Sequence, residues 1–256
     1  MWHKAGELIL TVSILFSAGS LQAVEFDSTL ARRIAEHVDT LTRGKSNYGT
    51  YRMMVVRPDW SRSMSMQSWE RGKDLSFIEV TEPPKEAGTA FLKREGQMWT
   101  WLPDIERTVK IPPSMMMDSW MGSDFTNDDL LHESSLSDDY TYAVIALDTV
   151  DTFQAYVVEL KPRPEAPVVW DKILIWVRVD DFMPLQEEYY DEKGRKIRTM
   201  YFKDIGRVGG RNIPKRFILE PHLKQGQRTE FEIIEIEFNA KVPDRMFTRQ
   251  HLERSR

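Results

Sequence analysis

From Tyr48 to Phe238 the chain reads as a succession of short extended segments divided by hairpin-sized turns, and that succession confines it to an antiparallel sheet. One group runs 48–57, 61–70, 74–80, 88–93, 97–102 and 105–111, with connections such as Pro58-Asp59, Arg71-Gly72-Lys73, Glu95-Gly96 and Pro103-Asp104. A second runs 140–147, 153–160, 170–180, 185–190, 196–205, 212–220 and 228–238, divided at Glu192-Lys193-Gly194, Gly209-Gly210 and Lys224-Gln225-Gly226. A meander of this kind with few helices implies a mainly β chain of the α+β class, built as one large curved sheet or an open barrel.

Alternation gives that sheet two unlike faces. In 61–67, Arg62, Met64 and Met66 share one side while Ser63, Ser65 and Gln67 share the other, because successive strand side chains point oppositely. In 173–179 the odd positions Ile173, Ile175, Val177 and Val179 are all aliphatic. Ile234, Ile236 and Phe238 oppose Glu235 and Glu237, but Phe231 and Ile233 fall on the Glu side. A bulge near Ile233 would reconcile the two halves of this strand, since one extra residue reverses the alternation beyond it.

Two helical elements are available to cover the sheet. Leu30, Ile34, Val38 and Leu41 recur at three- or four-residue spacing, Ser28 can cap the start and Gly44 follows the end, which predicts a helix over 28–41. The other element lies between the strand groups, where Ser114-Met-Met-Met-Asp-Ser-Trp-Met-Gly-Ser-Asp-Phe-Thr-Asn-Asp-Asp-Leu130 crowds large apolar side chains against a Gly and four acids. Its periodicity is that of neither one helix nor one strand. It is either a buried loop that plugs a core or an amphipathic loop and helix that closes over a cavity.

So little cover for a dozen or more strands leaves apolar surface to spare, and a large apolar patch marks a binding site. The candidate cavity and lid residues are Met53, Val55, Met64, Met66, Trp69, Phe77, Phe91, Trp99, Trp101, Met115, Met116, Trp120, Met121 and Phe125. Methionine suits such a site because its flexible thioether adapts to varied apolar shapes.

Composition narrows the setting. Residues 1–23 have the outline of a secretory signal: Lys4 in a short polar start, an apolar run from Leu8 to Phe16, then small residues ending at Gln22-Ala23, with cleavage there or nearer Ser20. That run falls short of the about 20 residues a membrane span needs. One exported, soluble domain over 24–256 is therefore expected. The 256 residues include no Cys, so neither disulfides nor acylation of a Cys can serve it, and a conventional core must. A net charge of −5 without a basic stripe argues against nucleic acid as a partner.

Motifs for chemistry are sparse. Asp124, Asp128, Asp129 and His132 fall within two turns, and Asp128 with His132 has metal-ligand spacing on a helix face. Acids in a first helical turn are equally explained by the helix dipole and by capping at Ser123 or Asp124, and His132-Glu133 does not continue into a zinc-protease motif. The chain has no nucleophile elbow, no Cys and no phosphate loop, since Gly206-Arg-Val-Gly-Gly210 lacks the following helix and Lys. Charged runs such as Asp191-Glu-Lys193 and Arg195-Lys-Ile-Arg198 read as solvated hairpin ends. No enzyme activity, metal or cofactor is expected.

Several longer stretches carry a resemblance: Tyr51-Arg-Met53, Arg57-Pro-Asp-Trp60, Gly88-Thr-Ala-Phe-Leu-Lys93, Lys110-Ile-Pro-Pro-Ser-Met-Met116, Ser119-Trp-Met-Gly-Ser-Asp-Phe-Thr-Asn-Asp-Asp-Leu130, Ile236-Glu-Phe-Asn239 and Val242-Pro-Asp-Arg-Met-Phe247. Together they resemble the outer-membrane lipoprotein-sorting protein family of the LolA/LolB-like superfamily. The resemblance implies an incomplete antiparallel β-barrel, lidded by helices, whose hydrophobic cavity holds acyl chains of a lipoprotein or a free lipid in a Gram-negative periplasm. It further implies traffic toward an outer-membrane acceptor, coupled to an inner-membrane exporter of the resistance-nodulation-division type. Envelope sensors or scaffolds that bind a protein partner use the same fold and are the alternative. The family's lid-latching Arg is not assigned to Arg52 or Arg57.

Overall fold

The computed structural model describes residues 28–131, 136–164, 166 and 168–254, so the expected export signal and His132 lie outside the described residues. After helix α1 (Ser28–Leu41) come strands β1 (Ser46–Val56), β2 (Ser61–Arg71), β3 (Leu75–Glu82), β4 (Ala90–Arg94), β5 (Gln97–Leu102) and β6 (Arg107–Ile111). Short helices α2 (Asn127–Leu131) and α3 (Leu136–Asp139) follow. The second meander holds β7 (Tyr140–Val150), β8 (Phe153–Pro162), β9 (Lys172–Arg178), β10 (Pro184–Tyr190), β11 (Lys196–Val208), β12 (Arg211–Pro221) and β13 (Arg228–Phe238), and α4 (Arg249–Leu252) lies near the end. Helix α1 has the predicted bounds, and each predicted strand is present with ends moved by a few residues.

All strands join one 13-stranded sheet in the order β6-β5-β4-β3-β2-β1-β13-β12-β11-β10-β9-β8-β7. The two meanders are fused where the first strand pairs with the last, Tyr48 opposite Glu237 and Met53 opposite Phe231. This leaves β6 and β7 as unpaired edges at opposite ends. The barrel is therefore not closed. The chain must travel from one open edge to the other, and residues 112–130 run across the face of the sheet on the way. The covering role of the Ser114–Leu130 stretch is a consequence of this strand order.

The predicted bulge in β13 exists, one residue further along. Thr50 faces Glu235 and Tyr51 faces Ile233, so Ile234 is the unpaired extra residue. Ile233 and Ile236 are buried while Ile234 is 48% exposed. The reading that put Ile234 on the apolar face is corrected by this register, because the skipped residue turns outward and its neighbours inherit the inner positions.

Both faces of the first meander are buried, which the sequence reading did not foresee. Met53, Val55, Met64, Met66, Ile78, Val80, Phe91 and Met98 form a core on one face with Trp120 and Phe125. Phe77, Ala90 and Leu92 form another on the opposite face with Ala240, Val242, Met246, Phe247 and Leu252. The cover of that second face is the C-terminal segment, including a 3-10 turn at Asp244–Phe247 and α4. Thr248 caps α4 by accepting the His251 N–H at 3.2 Å. Two covering helical elements were too few: strand patterns end at Phe238, and the short apolar spacing after it has no periodicity to announce a docked segment.

Candidate functional site

The segment between the two sheet edges seats itself by one side chain. Trp120 is fully buried against Phe91, ring centroids 5.1 Å apart, within the Met-rich core of β1–β5. Met121 and Gly122 follow with φ of 49° and 73°, a left-handed pair in which glycine is the residue that carries no steric cost. That turn presents backbone carbonyls to the first hairpin. Arg62 donates to the Met121 carbonyl and, at 2.5 Å, to Glu86 Oε1, while Arg57 Nη2 donates to the Gly122 carbonyl at 2.9 Å. Arg57 Nη1 also reaches Asp124 Oδ2 at 2.9 Å, and the Thr229 hydroxyl donates to the same oxygen at 2.7 Å. Arg52, by contrast, meets Glu232 at an exposed 3.5 Å and no other acid among the described residues. Arg57 and Arg62 are thus the residues that hold this loop.

Beyond Phe125 the same segment turns from plug to lid. Thr126 and Asp129 form a reciprocal cap for α2: the Thr126 N–H donates to Asp129 Oδ2 at 2.8 Å and the Asp129 N–H donates to Thr126 Oγ1 at 3.1 Å. Asp129 then receives a two-pronged contact from Arg198 on β11, Nη1 to Oδ2 and Nη2 to Oδ1, both 2.6 Å. The Arg198 guanidinium lies 4.5 Å from the Trp170 ring and 4.3 Å from the Tyr189 ring. Such stacking suits a planar, weakly hydrated cation. Burial alone would push the Asp129 carboxyl up, but Arg198 and the Thr126 contacts hold it below the usual carboxylate range.

Under this lid lies a cavity of about 250 Å³. Val38 and Leu41 of α1, Phe125 and Leu130 of the lid, and Met66, Ile78, Ile173, Met200, Phe217, Phe231 and Ile233 of the sheet give it an apolar lining. Polar groups interrupt this lining, among them Glu187, Tyr189 and Asp129 on one side and Asp39, Arg43 and Glu70 elsewhere. The Tyr189 hydroxyl donates to Glu187 Oε2. Burial pushes the Glu187 carboxyl up to about 7, against the Tyr189 hydrogen bond and Arg198, which both pull it down.

The predicted residues divide among three places, with Met115 in none of them. Met66 and Phe125 line the cavity. Met53, Val55, Met64, Phe91 and Trp120 are buried in the adjoining core, Met116 and Met121 pack against it, and Met115 is 45% exposed. Trp69, Phe77, Trp99 and Trp101 lie on the far face under the C-terminal segment, so their assignment to the cavity is corrected. Parity decides it: Trp69 is an odd number of residues from Met64 and Met66, Phe77 adjoins Ile78, and Trp99 adjoins Met98.

The polar residues of the cavity were missed, although the same rule could have found them. Glu187 and Tyr189 share a side of β10, as do Arg198, Met200 and Phe202 of β11, so a carboxylate and a guanidinium sit at inward positions. Arg198, read as part of a solvated hairpin end, is 4% exposed. Among the described residues no three His, Asp or Glu gather as a metal site, and no helix is long and apolar enough to cross a membrane.

Solved structures share this architecture. A DUF1329 family protein from Desulfovibrio piger superposes with a TM-score of 0.79 at 22% identity, covering 88% of this chain and 98% of its own. A domain of outer membrane lipoprotein-sorting type from Vibrio parahaemolyticus gives 0.76 at 21% identity, covering 89% and 100%. A LolA superfamily protein from Nitrosomonas europaea gives 0.73 at 23% identity, covering 86% and 98%. No curated protein matches the sequence. The unclosed antiparallel sheet with its crossing lid is the LolA-like fold. Residues 72–254 match a family model described as "Uncharacterized protein"-like, and the chain belongs to that family.

Proposed function

We propose that this protein is a periplasmic carrier that shields acyl chains of a lipid or lipoprotein between the sheet and its lid, making and breaking no covalent bond. The observation that carries the reading is the apolar cavity of about 250 Å³ beneath a segment tied down by discrete polar contacts. An apolar cavity of about 150 Å³ accommodates benzene, so this one takes about ten chain carbons as it stands. Each buried methylene contributes about 0.8 kcal/mol, enough to hold a single chain firmly. Longer or second chains require the lid to lift, and lifting costs the Asp129–Arg198 contact. Loading and unloading belong at membrane-bound partners, an inner-membrane exporter on one side and an outer-membrane acceptor on the other.

The fold shared with lipoprotein-sorting structures supports this reading without naming the cargo. Native mass spectrometry of the protein purified from its own envelope fraction without detergent tests it. A stoichiometric added mass that solvent extraction identifies as a lipid or acylated peptide is expected. A bare mass that stays bare after incubation with envelope lipids would refute the carrier and leave a partner-binding scaffold.

A further inference from the structure

Beside the apolar cavity, and sharing Asp39 and Arg43 with it, lies a polar cleft of about 440 Å³ between the end of α1, the β2–β3 turn and the start of β12. Its charged lining is Arg43, Lys45, Lys73 and Arg211 against a single carboxylate, Asp39. This positive concentration stands out in a chain whose net charge is −5. Two of these charges are already committed to the fold. Asp39 accepts the backbone N–H groups of Leu136 at 3.1 Å and Ser137 at 3.3 Å, and the Ser137 hydroxyl at 2.8 Å, and so caps α3. Arg211 donates to the Arg43 carbonyl at 2.6 Å and lies 3.9 Å over the Phe238 ring, closing the C-terminal end of α1.

The remaining cations are under-used. Arg43 approaches Asp39 only at 4.0 Å, and its buried Nη1 has no hydrogen-bond acceptor among the described residues. Lys45 is exposed and its ammonium makes no ion pair among the described residues, although its backbone N–H donates to Asn239 at 3.0 Å. Lys73 meets Asp138, but both side chains are largely exposed, 46% and 65%, and such pairs hold weakly. The floor is open at Gly72, whereas at Gly44 an added Cβ would run into Asn47 Oδ1 at 2.7 Å. At Gly72 an added Cβ would meet nothing within 4 Å, so the space belongs to the cleft and not to packing.

Resting on the carrier reading, we infer that the cargo is a net-anionic, phosphate-bearing amphiphile whose chain lies in the apolar cavity and whose headgroup sits among Arg43, Lys45 and Lys73. The geometry supplies what such a molecule needs: an apolar chamber and a cationic cleft in contact through two shared residues.

The test uses the uncharged apolar dye N-phenyl-1-naphthylamine as a reporter of the cavity. It is displaced by lysophosphatidylglycerol or by an uncharged monoacylglycerol of equal chain length, each below its micellar concentration, with inorganic phosphate alone in a separate arm. The wild type should prefer the anionic lipid by about tenfold at low salt, the effect of one well-placed charged contact. In Lys45→Gln/Lys73→Gln, and separately in Arg43→Gln, the ratio should fall toward one, with the monoacylglycerol serving as internal reference in each protein. Equal displacement by both lipids from the wild type overturns the headgroup inference while leaving the carrier intact. Failure of the dye to bind, or of both lipids to displace it, overturns the carrier reading itself. Inorganic phosphate that abolishes the lipid preference at a concentration equal to the lysolipid would make the cleft a site for a free anion and overturn the lipid assignment.

Discussion

Replacing Asp129 by Asn should unlock the lid without dismantling it. The amide keeps the side-chain oxygen that accepts from Thr126 but removes the charge that meets Arg198 at 2.6 Å through two contacts. Arg198 then remains with its side chain 5% exposed and no carboxylate hydrogen-bonded to it among the described residues, only the charge of Glu187 nearby. Stranding a buried charge in this way costs about 3–5 kcal/mol. Trp170 and Tyr189 continue to face the guanidinium at 4.5 and 4.3 Å, so the lower end is expected. For a chain of this size, about 3 kcal/mol corresponds to a fall in melting temperature of about 6–12 °C. The loss should concentrate in α2, where hydrogen exchange at the Asp128 and Asp129 amides should accelerate, while exchange in β1 and β13 changes little. Removing both charges together, as Asp129→Leu/Arg198→Met, should restore most of the melting temperature, since a buried pair is worth little against apolar residues of similar volume. A wild-type melting temperature for Asp129→Asn, or a double variant worse than the single one, would refute the argument that this pair is the lock.

Three further outcomes follow from the same geometry. Glu187 has its carboxyl raised from 4.5 to about 7 by burial, so the folded state holds the proton more tightly than the unfolded one. Its contribution is present in full below about 4.5 and is lost as pH rises through about 7. Glu187→Gln should therefore flatten the decline in denaturant stability between pH 5 and pH 8 by at most roughly 3 kcal/mol, and an unaltered pH profile would count against it. In β13, Ile233→Ala should cost about 2–5 kcal/mol and Ile234→Ala less than about 1 kcal/mol in urea unfolding; equal losses would place the bulge elsewhere. Phe125→Ala should weaken acyl-chain binding in a dye-displacement assay, whereas Trp99→Ala, on the far face, should lower the melting temperature and leave that binding unaltered. Parallel effects on binding would contradict the division of the sheet into two faces.

How far the sequence could be read depends on the range of the interaction involved. Strand alternation, turn residues and the 28–41 stripe are local, and they yielded the meanders, α1 and even the need for a bulge in β13. The same local rule, carried strand by strand, separates Met66 from Trp69 and places Glu187 and Arg198 inward. It was not carried that far, because Trp and Met look alike as apolar bulk and a charged run looks solvated. The dual nature of 114–131 was legible only as an open alternative, and both halves of it hold: Trp120 plugs a core and Phe125 covers a cavity.

The sequence by itself determined the class of structure, an antiparallel sheet of short strands with a surplus of apolar side chains and a segment rich enough in them to serve as cover. Only the tertiary structure decided that β1 pairs with β13, leaving β6 and β7 as the open edges that the lid must bridge. It alone brought Asp129 to Arg198, 69 residues apart, and Arg57 to Asp124, 67 apart. It also laid the C-terminal segment on the second face, leaving the space beneath α2 unfilled. These are long-range pairings, and no period in the chain encodes them. Which distant surfaces meet is settled by how the whole sheet curves and where its edges end.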